Sequence, residues 1–340
     1  MTLEDRLGLL AELGTRLTDF NNQIVEMAIT KAHHENQWFV PENSKKAINA
    51  ISSEFLQRDK LARWINEYDV SKVKSKSIGL VLAGNIPMVG FHDLLCTFIS
   101  GHNAVIKTSS KDDALVKLVL DIMNDIDSEV SQIITTTDRL SNYDAVIATG
   151  SNNTAQHFEY YFRKYPKVIR KNRVSVAVLG SEDDNDVLER LGSDVFDYFG
   201  LGCRNISKIF VPEDFNLDDL FEAFYPFKDI INHNKYNNNF TYNEAIWLMG
   251  QDAFLTNGFI ILKEEKSIFS RIASLYYERY NNLSQIKDSI TEQKENIQCV
   301  SSNLELDAEN INTVSIGGSQ CPSLSDYADH VDTMNFLINL

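Results

Sequence analysis

The chain has few cysteines, no paired cysteine motif and no long apolar run, and each absence excludes a class of protein. Its four cysteines, Cys96, Cys203, Cys299 and Cys321, lie far apart in the sequence. Without a C-x-x-C pair or a histidine motif, the sequence predicts neither a zinc site nor a redox dithiol. No apolar segment is long enough to span a bilayer, and the first residues lack the pattern of a secretory signal. We therefore expect a cytoplasmic protein with no metal and no integral membrane association.

Basic residues are scarce relative to acidic ones. The 340 residues include 32 Lys and Arg against 48 Asp and Glu, which gives a formal net charge of -16. A field of this sign repels nucleic acid, so we expect no nucleic-acid partner.

The length exceeds what one hydrophobic core usually spans, and the hydrophobic content of 43% is typical of a globular protein. Two domains are therefore expected.

The G-x-G-x-x-G fingerprint of ordinary dinucleotide-binding folds is also absent, yet short apolar runs alternate with helical segments. The runs lie at residues 78–83, 104–107, 145–148, 174–179 and 206–211. Such continuous runs predict strands that are buried on both faces. A helix after the second run is expected to begin at Ser109 or Ser110 as its cap. The alternation predicts an α/β fold with a parallel sheet, which binds ligands at the carboxyl ends of its strands.

Three turns at these strand ends carry polar side chains. Asn85 follows the first run, Lys107 closes the second, and Thr149, Gly150 and Ser151 close the third. An Asn amide can donate to an oxygen that develops negative charge, and a lysine can hold a ribose or a phosphate. Each residue also has an ordinary explanation, because Asn85 can cap a turn and Lys107 can be a solvated surface lysine.

Cys203 stands between a glycine and an arginine, directly before the apolar run at residues 206–211. Its small neighbours Gly200 and Gly202 leave room for a substrate carbonyl beside the sulfur. A lone free cysteine more often packs as a small buried hydrophobe. Cys203 by itself therefore leaves both a nucleophile and a packed thiol open.

Taken in order, these segments resemble the aldehyde dehydrogenase superfamily. Asn85-Ile86-Pro87 is similar to its Asn-Phe-Pro turn, and Gly101 to Lys107 is similar to its Gly-Asn-x-x-x-x-Lys strand. Thr149-Gly150-Ser151 is similar to its Phe-Thr-Gly-Ser turn, with Ala148 in place of Phe, and Cys203 falls at the nucleophile. The resemblance covers residues 78–212. It implies an aldehyde dehydrogenase-like α/β fold, with a parallel-sheet nucleotide-binding domain and a second α/β catalytic domain.

Two segments look more specifically like the LuxC-like acyl-CoA reductases of that superfamily. They are Gly200 to Lys208 and the tail from Gln320 to Thr333. This resemblance implies reduction of an acyl-CoA, with a fatty acyl chain favoured, to an aldehyde through an acyl group on Cys203. Asn85 and the Cys203 main-chain N–H would hold the oxyanion. The implied cofactor-binding residues are Pro87, Lys107, Ser110, Thr149, Gly150 and Ser151.

Two departures from the superfamily pattern refine this expectation. Aldehyde-oxidising members carry a glutamate that activates water, whereas the corresponding stretch here, Lys171 to Ser175, has no carboxylate. An acyl group that water does not attack readily is available for reduction. NAD-preferring members often carry a glutamate where this chain has Ser110. The neutral hydroxyl favours NADPH, with NADH as the alternative cofactor.

The resemblance divides the chain into three segments. Residues 1–200 would hold the N-terminal helices and the NAD(P)-binding domain, 201–315 the catalytic domain, and 316–340 a tail that packs back on the core. A polar loop is expected at residues 232–239 and a helix at residues 268–280.

Partners and two competing functions stay open at this point. The expected partner is the acyl-CoA substrate; association into a homo-oligomer and an acyl-transferring or acyl-activating partner enzyme are further options. An acyl-phosphate reductase or aldehyde dehydrogenase-like enzyme of the same fold would share the cysteine. A non-catalytic acyl-binding or scaffold member would keep the fold but would not need to hold Asn85, Lys107, residues 149–151 and Cys203 together.

Overall fold

The computed structural model describes residues 1–306 and 312–340. The α-helices are α1 (Leu3–Leu17), α2 (Gln23–Glu35), α3 (Pro41–Phe55), α4 (Arg58–Ile65), α5 (Phe91–Ile99), α6 (Asp113–Ile126), α7 (Val130–Ile133), α8 (Asn152–Tyr161), α9 (Asn185–Phe196), α10 (Leu217–Phe224), α11 (Asn234–Gly250), α12 (Leu283–Glu292) and α13 (Thr333–Ile338). The strands are β1 (Ser77–Val81), β2 (Asn103–Lys107), β3 (Ile134–Thr136), β4 (Ala145–Thr149), β5 (Lys167–Arg170), β6 (Val174–Val178), β7 (Ile206–Pro212), β8 (Leu255–Thr256), β9 (Ile261–Glu264), β10 (Ser274–Tyr280), β11 (Ile297–Ser301) and β12 (Thr313–Val314).

The chain forms two compact units. The first contains Met1–Asn172 together with Pro322–Leu340, and the second contains Arg173–Cys321. Residues 173–200 therefore group with the second unit, which differs from the predicted boundary at residue 200. The reason is strand pairing, because β6 pairs with β7 and β11 and so belongs to the second sheet.

The first unit contains a five-stranded sheet in the order β3-β2-β1-β4-β5. All its pairs are parallel, and Ile78 of β1 lies opposite Ala104 of β2 and Ala145 of β4. The apolar runs predicted as β1 and β4 are mostly buried, as in a parallel sheet covered on both faces, whereas buried and partly exposed residues alternate along β2. The predicted parallel sheet is confirmed, and the carboxyl ends of β2, β1 and β4 lie side by side.

The N-terminal helices pack with this sheet into one core. Leu10, Leu13 and Leu17 of α1 are buried in the same cluster as Ile78 and Leu80 of β1. A capping box starts α1, because Thr2 and Asp5 exchange hydrogen bonds with each other's backbone N–H. No helix in the described residues is long and apolar enough to cross a membrane.

The second unit contains a seven-stranded sheet in the order β12-β11-β6-β7-β10-β9-β8. Its pairs are parallel except for β8 with β9. β7, which follows Cys203, lies between β6 and β10, and six of its seven residues are buried. This arrangement fixes the start of β7, directly after the segment that carries Cys203, in the interior of the unit.

Two predictions in the second unit are wrong. Residues 232–239 are largely helical, because Tyr236, Phe240 and Trp247 bury an aromatic stripe along α11 and the His233 side chain caps the helix. The asparagines occupy the remaining faces, so their polarity misled the prediction. Residues 274–280 form β10 and not a helix, since Ala273 has a left-handed backbone (φ 63°) and the strand pairs with both β7 and β9.

The C-terminal segment is held against the first unit by a buried polar network. The Tyr327 hydroxyl lies 2.6 Å from the Tyr68 hydroxyl and accepts from Trp64 Nε1 at 3.1 Å. The buried Arg170 bonds Asp93 of α5 at 2.6 Å and donates to Thr333 Oγ1 at 2.8 Å. These contacts explain why tyrosine and threonine stand in the tail that resembles the acyl-CoA reductases.

Candidate functional site

The residues predicted to bind a cofactor share one edge of the first sheet. Asn85 and Pro87 follow β1, Lys107 ends β2, and Thr149 ends β4. Asn85, Lys107, Ser110 and Ser151 are exposed, whereas Pro87 is buried. The structure thus brings these six predicted cofactor residues and Asn85 to the same edge of the first unit. Cys203 lies in the second unit.

The turn that carries Asn85 is shaped by the connection between β2 and α6. Leu82 N–H donates to the Lys107 carbonyl at 3.1 Å. A Cβ at Gly84 would lie 2.6 Å from Ser109 Oγ and 2.9 Å from Ser109 Cβ. Glycine is therefore required at residue 84 so that the two turns can approach each other.

We expect Gly84→Ala to destabilise the first unit by about 1–3 kcal/mol, the usual cost of overpacking a tight contact. Urea unfolding of the variant measures this loss. The matched double variant Gly84→Ala with Ser109→Gly removes the colliding side chain and is expected to recover most of the stability. Equal stabilities of Gly84→Ala and the wild type would show that the turn accommodates the added methyl group without loss of stability.

Lys107 lies at the end of β2, and the connection from Lys107 to helix α6 differs from the prediction. Lys107 Nζ donates to the Asp138 carbonyl at 2.6 Å while remaining exposed at the sheet edge. Neither Ser109 nor Ser110 caps the next helix, because α6 begins one turn later and Asp112 occupies its N-cap position. The Asp112 side chain accepts instead from Met88 N–H at 2.8 Å. The prediction of a serine cap is therefore wrong, and Ser110 stays available at the surface.

The third turn closes against its own helix. Ser151 Oγ accepts from Thr154 N–H at 3.3 Å, which makes Ser151 the N-cap of α8. A Cβ at Gly150 would lie 2.9 Å from Thr154 Cγ2 and 3.1 Å from Phe158 Cε2. Gly150 is thus required by the packing of α8, a reason that the sequence did not suggest. The helix N-terminus beside it provides backbone N–H groups that suit an anionic ligand.

Cys203 is half-buried in a loop of unusual backbone between α9 and β7. Tyr198, Phe199 and Gly200 all have positive φ, at 53°, 59° and 73°. Two such aromatic residues in succession cost about 1–2 kcal/mol each and persist only where the surroundings hold them. The Phe199 ring packs on His233 with centroids 4.3 Å apart. The Tyr198 and Phe199 side chains are both buried. The loop therefore stores strain directly before the cysteine.

Asn205 holds this loop together. Its amide nitrogen donates to the carbonyls of Asp194 at 3.0 Å and Asp197 at 2.7 Å, and its oxygen accepts from Gly202 N–H at 2.8 Å. The side chain is only 2% exposed. Three buried main-chain groups on both sides of the strained turn thus share one side chain, which fixes the path of the chain into Cys203.

Ser175 and Cys299 support Cys203 from the neighbouring strands. Ser175 Oγ donates to the Cys203 carbonyl at 3.0 Å, lies 3.1 Å from Cys299 Sγ and accepts from Cys299 N–H at 3.2 Å. Burial raises the pKa of the Cys299 thiol to about 11, although the nearby Arg204 charge opposes the shift. Cys299 is therefore a protonated, inert thiol at neutral pH, whereas the half-exposed Cys203 is the accessible one.

The buried side chain of Asp194 links the loop that carries Cys203 to the glycine-rich segment before the tail. Asp194 accepts from Ser301 Oγ at 3.1 Å, Gly317 N–H at 2.8 Å and Ser319 Oγ at 2.7 Å. Burial raises the pKa of Asp194, and the hydrogen bonds from Ser319 and Gly317 counteract that shift. Sequence patterns do not reveal Asp194 and Ser175, whose partners lie 28 to 125 residues away, or Asn205, which bonds main-chain groups three to eleven residues before it. The Arg-Asn pair after Cys203 was the one available signal.

The segment that would carry a hydrolytic glutamate holds none. Lys171 N–H donates to Asp329 at 3.2 Å, and Arg173 donates to the Ile297 carbonyl at 3.1 Å. Among the described residues, no group of three or more His, Cys, Asp or Glu side chains is arranged to hold a metal ion. Cys203 itself presents a half-buried thiol in a loop that Ser175 and Asn205 hold by hydrogen bonds.

Comparison with solved structures defines the fold class. Aldehyde dehydrogenase 21 from Physcomitrella patens superposes with a TM-score of 0.73 at 12% identity, over 100% of this chain and 84% of that one. An NAD-dependent aldehyde dehydrogenase from Sinorhizobium meliloti gives 0.69 at 11% identity, over 93% and 75% of the chains. A Mycobacterium tuberculosis aldehyde dehydrogenase gives 0.64 at 11% identity, over 93% and 78%. The chain has the aldehyde dehydrogenase fold, as predicted.

The family follows from the sequence comparison. Residues 10–222 match the model of the acyl-CoA reductase (LuxC) family, which is more than half of the chain. A comparison with curated proteins found no match. The chain belongs to the LuxC acyl-CoA reductase family, and it is an oxidoreductase that acts on acyl or aldehyde groups.

Proposed function

We propose that this protein reduces a fatty acyl-CoA to the aldehyde through an acyl group on Cys203, with NADPH as the electron donor. The observation that carries the proposal is the state of Cys203, a half-exposed thiol in a strained loop clamped by Asn205. Membership of the acyl-CoA reductase family supports the substrate class. The absence of a carboxylate between Lys171 and Ser175 favours reduction over hydrolysis.

The chemistry begins at the sulfur. The Cys203 thiolate attacks the thioester carbonyl carbon, a new C–S bond forms, and the bond to CoA breaks with departure of the CoA thiolate. The Asn85 amide and the Cys203 main-chain N–H are the proposed donors to the oxyanion. Reduction of the acyl group on Cys203 gives a thiohemiacetal. Its collapse breaks the bond between carbon and the Cys203 sulfur, restores the thiolate and releases the aldehyde.

The edge of the first sheet suits a nicotinamide nucleotide. Lys107 offers an exposed positive charge, Ser110 an exposed hydroxyl, and Ser151 the start of helix α8. Thr149, Gly150 and Pro87 complete the same edge. The M. tuberculosis relative was solved as a complex with NAD+. When bound, the nicotinamide supplies the hydride that reduces the acyl carbon.

Acylation without cofactor tests the nucleophile. We expect incubation with a long-chain acyl-CoA to increase the mass of the intact protein by one acyl group. Cys203→Ala is expected to abolish this adduct, while Cys321→Ser, which removes another exposed cysteine, retains it. An adduct that survives Cys203→Ala, or no adduct on the wild type, would contradict the assignment. An acyl chain-length series separates this function from reduction of a small, charged acyl phosphate.

The cofactor preference has its own test at Ser110. A glutamate there would place a negative charge beside a 2′-phosphate, so Ser110→Glu is expected to weaken NADPH binding relative to NADH by about tenfold. Nucleotide fluorescence titration measures both dissociation constants without turnover. Ser110→Ala, which adds no charge, is the matched control and should leave the ratio nearly unchanged. A ratio unaffected by Ser110→Glu would remove Ser110 from the nucleotide site.

A further inference from the structure

The turn that carries Asn85 is held by the buried side chain of Asp112. Asp112 is 2% exposed, and its Oδ2 accepts from Met88 N–H at 2.8 Å. Met88 is itself buried and has a left-handed backbone with φ 56°. A methionine adopts this conformation only when its surroundings impose it. The Asp112 bond is the side-chain contact made to that backbone.

The remaining oxygen of Asp112 sets this carboxyl apart. Its Oδ1 is fully buried and has no hydrogen-bond partner among the described residues. Burial raises the pKa of Asp112 well above its ordinary value, and the bond from Met88 N–H offsets only part of that shift. Burial thus favours the neutral form of this carboxyl, which accepts one hydrogen bond and serves no helix cap.

The Asn85 turn is consequently fixed at three successive points by one connection of the chain. Leu82 is bonded to Lys107, Gly84 packs on Ser109, and Met88 is bonded to Asp112. The first two contacts lie before Asn85 and the third lies after it. The Asp112 bond thus holds the left-handed Met88 backbone three residues after Asn85, and we expect its loss to shift the Asn85 amide.

We propose that Asp112 is a positioning residue that sets the Asn85 amide for oxyanion binding by holding Met88 N–H. The proposal rests on the proposed function, since it assigns Asp112 a part in the acylation of Cys203. It requires the acceptor oxygen of Asp112 and not its charge. Asparagine, which keeps that oxygen and is neutral, should therefore replace Asp112.

A double-mutant cycle on the rate of Cys203 acylation tests this inference. Asp112→Ala is expected to slow acylation by about 10²-fold, the effect of misplacing a catalytic group by about 1 Å. Asp112→Asn should remain within about tenfold of the wild type. In an Asn85→Ala background, Asp112→Ala should cause no further loss, because the group that it positions is already gone. Asp121→Ala, an exposed position on the same helix, is the control for helix α6.

The outcomes separate the inference from the proposed function. If the wild type forms no adduct on Cys203, both the proposed function and the role of Asp112 are contradicted. If the adduct forms and Asp112→Ala acylates at the wild-type rate, or is equally harmful with and without Asn85, the inference alone is overturned. Should Asp112→Ala fold poorly, the acylation rates of the folded Asp112→Asn and Asp112→Leu variants are compared instead. Leucine fills the space without an acceptor, so acylation should be slow in Asp112→Leu and close to the wild-type rate in Asp112→Asn.

Discussion

Asp93→Ala is expected to lower the free energy of unfolding by about 3–5 kcal/mol, the usual cost of removing one partner of a buried ion pair. Asp93 contacts Arg170 at 2.6 Å and 3.3 Å, and the arginine is only 3% exposed. The substitution leaves a guanidinium inside the first unit without its carboxylate. Urea unfolding measures the loss, and hydrogen exchange should show that α13 is affected early, since Arg170 also bonds Thr333.

A neutral replacement of the whole pair provides the control. Asp93→Leu with Arg170→Met removes both charges while roughly conserving volume, so it should recover most of the stability lost by Asp93→Ala. Recovery shows that the cost arises from the unpaired charge. A loss below about 1 kcal/mol for Asp93→Ala would contradict a desolvated pair, since exposed pairs contribute only that much.

Asn205→Ala is expected to have the second large effect, on both stability and reaction. The variant leaves Gly202 N–H and the carbonyls of Asp194 and Asp197 without their partner. A buried main-chain group left unsatisfied costs about 1–3 kcal/mol, so a loss of at least about 2 kcal/mol is expected in urea unfolding. The strained turn at Tyr198 then relaxes, and acylation of Cys203 should fall by about 10²-fold because the sulfur is displaced.

Asn205→Asp provides the discriminating comparison. The aspartate keeps an acceptor for Gly202 N–H but can no longer donate to the two carbonyls. We expect an intermediate stability and a partial recovery of acylation, measured by the same mass assay. Acylation at the wild-type rate in folded Asn205→Ala would show that the loop holds Cys203 without this side chain.

The three central strands of the first sheet were predictable because each carries a short continuous apolar run. Residues 78–83, 104–107 and 145–148 carry such runs, and the structure has β1, β2 and β4 there. Polar residues placed directly after them had to share an edge, since parallel strands end on the same side. Besides the serine cap of α6, the wrong predictions concern residues 232–239 and 274–280. Their conformation depends on aromatic burial along α11 and on pairing with β7 and β9.

The supporting residues of the site were beyond the reach of sequence reasoning. Ser175 and Asp112 bond main-chain groups 28 and 24 residues away, and Asn205 bonds main-chain groups of the irregular loop before it. A side chain that bonds a backbone group leaves no complementary residue type in the sequence. Such a partnership becomes visible only after the chain has folded.

The sequence by itself determined the α/β class, the edge that carries Asn85, Lys107 and Thr149, and the cysteine at the start of β7. These features are local, because apolar runs and the turns that end them reflect short-range burial and backbone preference. The tertiary structure alone decided that residues 173–200 join the second unit, that Asn205 clamps the strained loop, and that Asp112 holds the Asn85 turn. Those features depend on hydrogen bonds and strand pairs between distant segments, which form only when hydrophobic burial brings the segments together.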